Sequence, residues 1–191
     1  MPRPASDKRE RLASAAAELV AARGLEGATI AAIAERAGVA PGSVFYYLRS
    51  KDEVAAAAVE AVARVRAEAL AAWSSGAAPQ ERLSAYLDAA SADAAQTALT
   101  GNAATLAAQL RASAPEAARA AAQVVRDTID WASAQFEELG HSAQASRARA
   151  LHLVTGIEGA GQLAHALNEP TPVEREAAHL SRWVASSRSS A

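Results

Sequence analysis

Side chains that can perform catalysis occur in this sequence, but their spacing does not suit it. The chain has no cysteine. Its histidines do not stand four residues apart, as a helical metal-binding pair requires; they are His141, His152, His165 and His179. The Gly-x-Ser-x-Gly pattern of a serine nucleophile is absent, and the glycine-rich segment 156–161 lacks the lysine and the preceding strand of a phosphate-binding loop. We therefore predict that the protein is not an enzyme and holds no cofactor and no metal.

Residues 29–51, TIAAIAERAGVAPGSVFYYLRSK, indicate a different chemistry, because they predict two short helices around a tight turn. Thr29 can cap the first helix, since its hydroxyl can accept an unbonded backbone N–H. Gly38 suits the end of that helix, where a left-handed residue is usual. Pro41 suits the first position of the second helix, where no N–H is needed. The apolar contacts of the second helix are expected from Val44, Phe45 and Leu48.

Two helices joined by a short turn with glycine form a helix-turn-helix, whose second helix enters the major groove of DNA. The Thr cap, Ala-Gly-Val, Pro-Gly, adjacent tyrosines and following lysine of this stretch resemble the helix-turn-helix of the TetR family of transcriptional regulators. The match extends with decreasing strength over Lys8–Val62. The resemblance implies that the start of the second helix contacts base edges, and that the threonine, the tyrosines and the lysine contact phosphates. The predicted DNA contacts are Thr29, Pro41, Gly42, Ser43, Tyr46, Tyr47 and Lys51.

Three features depart from the family pattern. Ala40 stands where serine is common and cannot cap the second helix, which costs about 1 kcal/mol of local stability. Phe45 stands where tyrosine is common, so that one hydroxyl for phosphate is missing. Ala31 and Ala32 stand where some relatives carry polar groups for bases. Base recognition is therefore expected to depend on few side chains and on DNA shape.

The charge is distributed unevenly along the chain. The whole sequence has a net charge of −2, but residues 1–51 contain eight Lys and Arg against five Asp and Glu, a net +3. The remainder therefore carries −5. Such asymmetry favours contact between the N-terminal part and the phosphates of double-stranded DNA.

Alanine, the strongest helix former, dominates the sequence, which predicts an all-α protein of about nine helices. A three-helix DNA-binding domain is expected over residues 6–52, with its motif at about 29–48, followed by a larger helical domain over 53–191 for effector binding and dimerisation. A helix from Lys51 to about Trp73 would connect the domains, and Pro79 would begin a helix to about Thr97. By the resemblance, the helices Ala145–Leu167 and Val173–Ser186 pair with their copies in a homodimer.

Glycines within a helix cost about 0.5–1 kcal/mol each relative to alanine. Three of them occur in the predicted helix Ala145–Leu167, at Gly156, Gly159 and Gly161. They indicate close approach of another helix, or a kink against a ligand.

Neither a membrane span nor a signal peptide is expected. The sequence has no run of 18 apolar residues, and its first residues lack the apolar segment of a signal peptide. We therefore predict a soluble cytoplasmic protein.

Large and polar side chains in an alanine-rich bundle either fill the core or line a pocket for a small molecule. The candidates for an effector pocket are Trp73, Tyr86, Gln109, Trp131, Gln135 and Glu158. The preferred interpretation is a repressor that an unidentified small-molecule effector releases from its operator DNA. The alternatives are a transcriptional activator, a helical small-molecule-binding protein without DNA-binding activity, and a helical enzyme.

Overall fold

The structure is a computed structural model that describes residues 5–100 and 102–187. Within these residues the regular structure is entirely α-helical, which confirms the predicted fold class. The helices are α1 (Ala5–Gly27), α2 (Ile30–Ala37), α3 (Pro41–Tyr47), α4 (Lys51–Trp73), α5 (Pro79–Ala92), α6 (Ala94–Thr100), α7 (Ala103–Leu110), α8 (Pro115–Glu138), α9 (Ala143–Leu167) and α10 (Thr171–Ser186).

The described residues thus contain ten helices, one more than the nine predicted. The predicted helix from Pro79 to Thr97 is interrupted at Asp93, whose φ of −92° and ψ of 8° end α5. No glycine or proline marks this break in the sequence, so periodicity alone continued the helix through it. The connecting helix α4 has the predicted bounds, Lys51–Trp73.

The chain forms two compact units, of which the first consists of Met1–Arg66 and Ala103–Gln123. Its core contains apolar side chains from α1, α2, α3, α4, α7 and the start of α8. Among those with less than 2% of their surface exposed are Leu12, Val20, Ile33, Val44 and Leu110. This unit is larger than residues 6–52, because α7 packs on α1. The helix-turn-helix therefore has a substantial core beneath it.

The second unit consists of Ala67–Asn102 and Val124–Ala191. Within it, α10 packs against both α5 and α9, and α9 also packs against α6. Its fully buried side chains include Leu83, Leu87, Phe136, Leu153 and Leu180. Ser142 caps α9 by accepting the Ala145 N–H at 3.3 Å, and Asn168, with a φ of 54°, ends this helix. Both termini of α9 are thus fixed by local signals.

The glycines of α9 have different surroundings. A Cβ at Gly156 would lie 2.6 Å from the Glu176 Oε1 atom, and one at Gly161 would collide with Asn102. Close approach within the chain explains Gly161, because the Asn102 amide is held by the Glu158 carbonyl, whereas at Gly156 the nearest atoms are side-chain ends of Glu176 and Leu180. A Cβ at Gly159 would have no atom within 4 Å, so nothing in the described part of the same chain requires a glycine there.

No helix among the described residues is long and apolar enough to span a membrane.

Candidate nucleic-acid interface

The first motif helix, α2, is closed at both ends by the residues that the sequence indicated. The Thr29 hydroxyl oxygen accepts the Ala32 N–H at 3.2 Å, so its own O–H remains able to donate. Ile33, Ala34 and Ala37 are buried beneath the helix.

Gly38 ends α2 in the left-handed conformation, with a φ of 62° and a ψ of 42°. Its N–H donates to the Glu35 carbonyl at 3.1 Å, and the Arg11 guanidinium donates to the Ala37 carbonyl at 3.0 Å. The turn between α2 and α3 is therefore held both by local bonds and by α1.

We expect Gly38→Ala to lower the free energy of unfolding by about 1–2 kcal/mol, because an L-residue with a Cβ is strained at this φ. Nearby atoms are no obstacle, since the closest lies 3.8 Å from the added Cβ. Urea denaturation monitored by helical circular dichroism would measure the decrease. The matched control is Gly42→Ala, four residues on, where φ is not left-handed. Equal stabilities of the two variants would contradict this account of the turn.

The second motif helix, α3, has one buried face and one exposed face. Val44 is fully buried, and Leu48, directly after the helix, is 4% exposed. The opposite face exposes Pro41, Gly42, Phe45 and Tyr46. Ala40 precedes the helix without a side-chain cap, as the sequence predicted. The structure thus presents a row of residues from α3 on a buried apolar base.

Phe45 was expected to supply an apolar contact of α3, and within the core of the first unit it does not. Its side chain is 59% exposed, whereas Val44 beside it is fully buried. Val44 and Leu48 lie one turn apart on the buried side of α3, and Phe45, about 100° further round the helix from Val44, lies outside it. The exposure of Phe45 was not predicted, because phenylalanine is an apolar residue type.

The two tyrosines differ in exposure. Tyr46 is 72% exposed and does not belong to the core of the first unit. Tyr47 is half-buried and packs against the core of the first unit. The rings meet edge to face at a centroid distance of 5.0 Å. Tyr47 therefore supports Tyr46 and orients it.

Lys51 is engaged with the protein itself. Its ammonium donates to the carbonyls of Leu25 and Glu26 at 2.7 and 3.1 Å, and lies 3.7 Å from the Glu26 carboxylate. An ammonium has three N–H groups, so one remains beyond the two carbonyl bonds. Lys51 thus fixes the start of α4 to the end of α1, a function that sequence analysis missed because it depends on residues 25 positions away.

Several other cations of the first unit form ion pairs within it. The pairs are Arg9–Glu60, Arg11–Asp7, Arg36–Glu18, Arg64–Glu10 and Arg119–Glu116. Among the described residues Lys8, Arg23, Arg49 and Arg111 have no such pair. Arg49 lies in the short segment between α3 and α4, and its side chain is exposed. It is the unpaired cation nearest in sequence to α3. Sequence analysis did not identify it, because the sequence does not show which cations form ion pairs.

The predicted effector residues do not all lie together. Trp73, Tyr86 and Trp131 form a cluster of rings in the second unit, with centroids 5.2, 5.6 and 6.1 Å apart. The Trp131 Nε1–H donates to the Ser74 hydroxyl at 2.9 Å. Gln135, one turn after Trp131, accepts from Arg82 at 3.0 Å.

The other two candidates have separate surroundings. Gln109 belongs to the first unit, where its amide donates to the Ala21 carbonyl at 2.8 Å. Glu158 is buried in α9, and the Asn102 amide donates to its backbone carbonyl at 2.8 Å. Within the described residues no group of three His, Asp or Glu side chains could hold a metal ion.

Comparison with known proteins agrees with this geometry. Residues 12–58 match the family described as bacterial regulatory proteins, tetR family. A TetR regulator from Chloroflexus aurantiacus is similar in structure, with 23% identity, a TM-score of 0.78, and coverage of 95% of this chain and 96% of that one. One from Legionella pneumophila has 19% identity, a TM-score of 0.79, and coverage of 96% and 98%. A transcriptional regulator from Rhodococcus sp. Rha1 has 26% identity, a TM-score of 0.68, and coverage of 92% and 95%.

No protein of curated function matches the sequence. The fold and the exposed motif define a helix-turn-helix transcriptional regulator. Residues 12–58 carry the DNA-binding domain of the TetR family, and the fold of the chain is similar to that of TetR-family regulators.

Proposed function

We propose that the protein is a homodimeric repressor that binds operator DNA through α3 and is released by a small-molecule effector. The observation that carries the proposal is the exposed face of α3, on which Tyr46 is 72% exposed above a fully buried Val44. An exposed row of side chains on a rigid base is the arrangement that a helix needs to enter the major groove.

The proposed contacts fall into two groups. Pro41, Gly42 and Ser43, at the start of α3, are placed against base edges. The phosphates are contacted by hydroxyl and cationic groups, which position a protein on the duplex; these belong to Thr29, Tyr46, Tyr47 and Lys51. To them we add Arg49, because it is exposed and unpaired whereas the Lys51 ammonium already makes two bonds.

The proposed dimer uses α9 and α10. Leu163 and Leu167 are more than half exposed, and they share a face of α9 with Gly156 and Gly159, at helical spacing. An open groove of about 620 Å³ lies along this face, and α10 contributes Arg175, His179 and Arg182 to its lining. This face is apolar and includes Gly159, where packing within the described part of the chain does not require a glycine. Both features fit close packing of a second copy. In this proposal residues 53–191 keep the effector-binding and dimerisation role.

The proposed effector site centres on the rings of Trp73, Tyr86 and Trp131, with Gln135 beside them. Aromatic surface with a few polar groups is typical of small-molecule pockets. The effector can release DNA only if it binds one conformation of the dimer better than another.

Selection of duplexes from a random pool by the full chain tests this function. Enrichment of an inverted repeat is the expected result. The enriched duplex is then bound in the presence of a panel of small metabolites, with thermal denaturation of the protein measured in parallel. An effector should raise the melting temperature and weaken DNA binding together. A folded protein that enriches no sequence would refute the operator-binding function.

Arg49 and Lys51 can be separated by the salt dependence of binding to the selected duplex. For Arg49→Ala we expect the slope of log affinity against log salt to fall by about 0.9 for each phosphate that is no longer neutralised, hence by about 1.8 for two protomers. Fluorescence anisotropy at several salt concentrations measures this slope.

Lys51→Ala is the variant for comparison, since it removes the same charge two residues away, from a side chain that already makes two bonds within the protein. Because this variant cannot bond to Leu25 and Glu26, we expect a decrease of about 1–2 kcal/mol in the free energy of unfolding and a smaller change of slope. A full change of slope in Lys51→Ala with none in Arg49→Ala would keep Lys51 as a phosphate contact and remove Arg49 from the interface.

A further inference from the structure

Phe45 is an exposed aromatic ring without a structural role in the first unit. Its side chain is 59% exposed, and the buried side of α3 is occupied by Val44 instead. The other large apolar side chains that are exposed in the described residues are Tyr46 on α3, Val65 on α4, and Leu151, Leu163 and Leu167 on α9. Phe45 is therefore the only one of these that is both purely apolar and on α3.

The position of Phe45 places it among the proposed base contacts. Pro41 is one helical turn before it and is exposed on the same face, and Gly42 lies between them. The tyrosine that follows differs, since Tyr46 carries a hydroxyl that can bond a phosphate. A phenyl ring has no such group, so Phe45 cannot replace the phosphate contact of a tyrosine.

The major groove contains few apolar groups that an apolar side chain can contact. Its edges carry hydrogen-bond donors and acceptors, and the one apolar group among them is the C5 methyl of thymine. Burying a phenyl ring against a donor or acceptor would leave that polar group without water and without a partner, which is unfavourable. Thymine is thus the base whose edge fits Phe45.

We propose that Phe45 is a specificity-determining residue that contacts a thymine methyl group at one position in each half of the operator. This inference rests on the proposed DNA-binding function and adds the class of base that α3 selects. It also explains how base recognition is possible with alanine at positions 31 and 32.

The test compares the selected duplex with the same duplex in which every thymine is replaced by deoxyuridine, which removes the methyl and keeps the base pairing. The parent protein should bind the uracil duplex about fourfold more weakly for each methyl group that Phe45 covers, or about 15-fold for two half-sites. Phe45→Ala should bind the two duplexes with nearly equal affinity. Phe45→Tyr retains the ring and should retain the preference for thymine.

Val65→Ala is the control, because it truncates another exposed apolar side chain of the first unit outside the motif. It should show the full preference of the parent. Two results would overturn the inference: a parent protein indifferent to the methyl groups, or a Phe45→Ala protein that keeps the whole preference. A parent protein that binds both duplexes tightly and equally would still have the proposed operator-binding function. Absence of tight binding to any duplex would refute both.

Discussion

Gly42→Ala is expected to fold as the parent does and to bind DNA more weakly, on the order of 10²-fold. A Cβ at Gly42 has no atom within 4 Å, and its φ is not left-handed, so the folded chain accommodates the methyl group. The same methyl would stand between the start of α3 and the base edges. Inserting a group into a close-packed contact costs roughly 1–3 kcal/mol, and two protomers would each incur that cost.

The free energy of unfolding and the DNA affinity are both measured on the Gly42→Ala protein. Urea denaturation should give a free energy of unfolding no lower than that of the parent, because alanine in a helix is favoured over glycine. Fluorescence anisotropy on the selected duplex should show the weaker binding. An affinity within twofold of the parent would show that the backbone at Gly42 does not approach the DNA closely.

Gly159→Leu is expected to convert the proposed dimer into monomers. Within one chain the site is open, so the protomer should fold with the larger side chain. In the proposed dimer the partner's helix packs against this position, and a leucine would hold the two helices apart. Light scattering at micromolar protein should show the mass of one chain rather than two. A monomer also lacks the second binding site for the operator, which should weaken binding by about 10²–10⁴-fold.

Ala67→Leu is the matched control, because it adds a similar side chain at an exposed position of α4 in the same unit. This variant should remain a dimer and bind the operator normally. If Gly159→Leu also remained a dimer at micromolar concentration, the contact between protomers would have to lie on another surface.

The sequence predicted the motif accurately because its signals are local. Thr29 accepts an N–H from the turn that it precedes, Gly38 adopts the left-handed conformation that ends α2, and Pro41 begins α3. Each of these preferences depends on the backbone within a few residues. The break at Asp93 was missed because that residue carries no comparable signal.

The functions of individual side chains were harder to predict because they depend on distant parts of the chain. The predicted phosphate contact at Lys51 did not anticipate its bonds to the end of α1, about 25 residues earlier. Arg49 could not be distinguished from the other cations until their ion pairs were known. Phe45 was expected to make an apolar contact because of its residue type, although the helical position that it occupies is exposed. Gln109 was grouped with the tryptophans by composition, but it lies in the other compact unit.

The central claim is that two copies of the chain place their α3 helices in successive major grooves of one operator. Hydroxyl-radical footprinting of the selected duplex tests it most directly. We predict two protected segments on one side of the duplex, with centres about one helical turn, 10–10.5 base pairs, or a multiple of it apart, and the disappearance of both in Gly42→Ala. A single unpaired footprint, or a footprint that Gly42→Ala leaves unchanged, would contradict the claim.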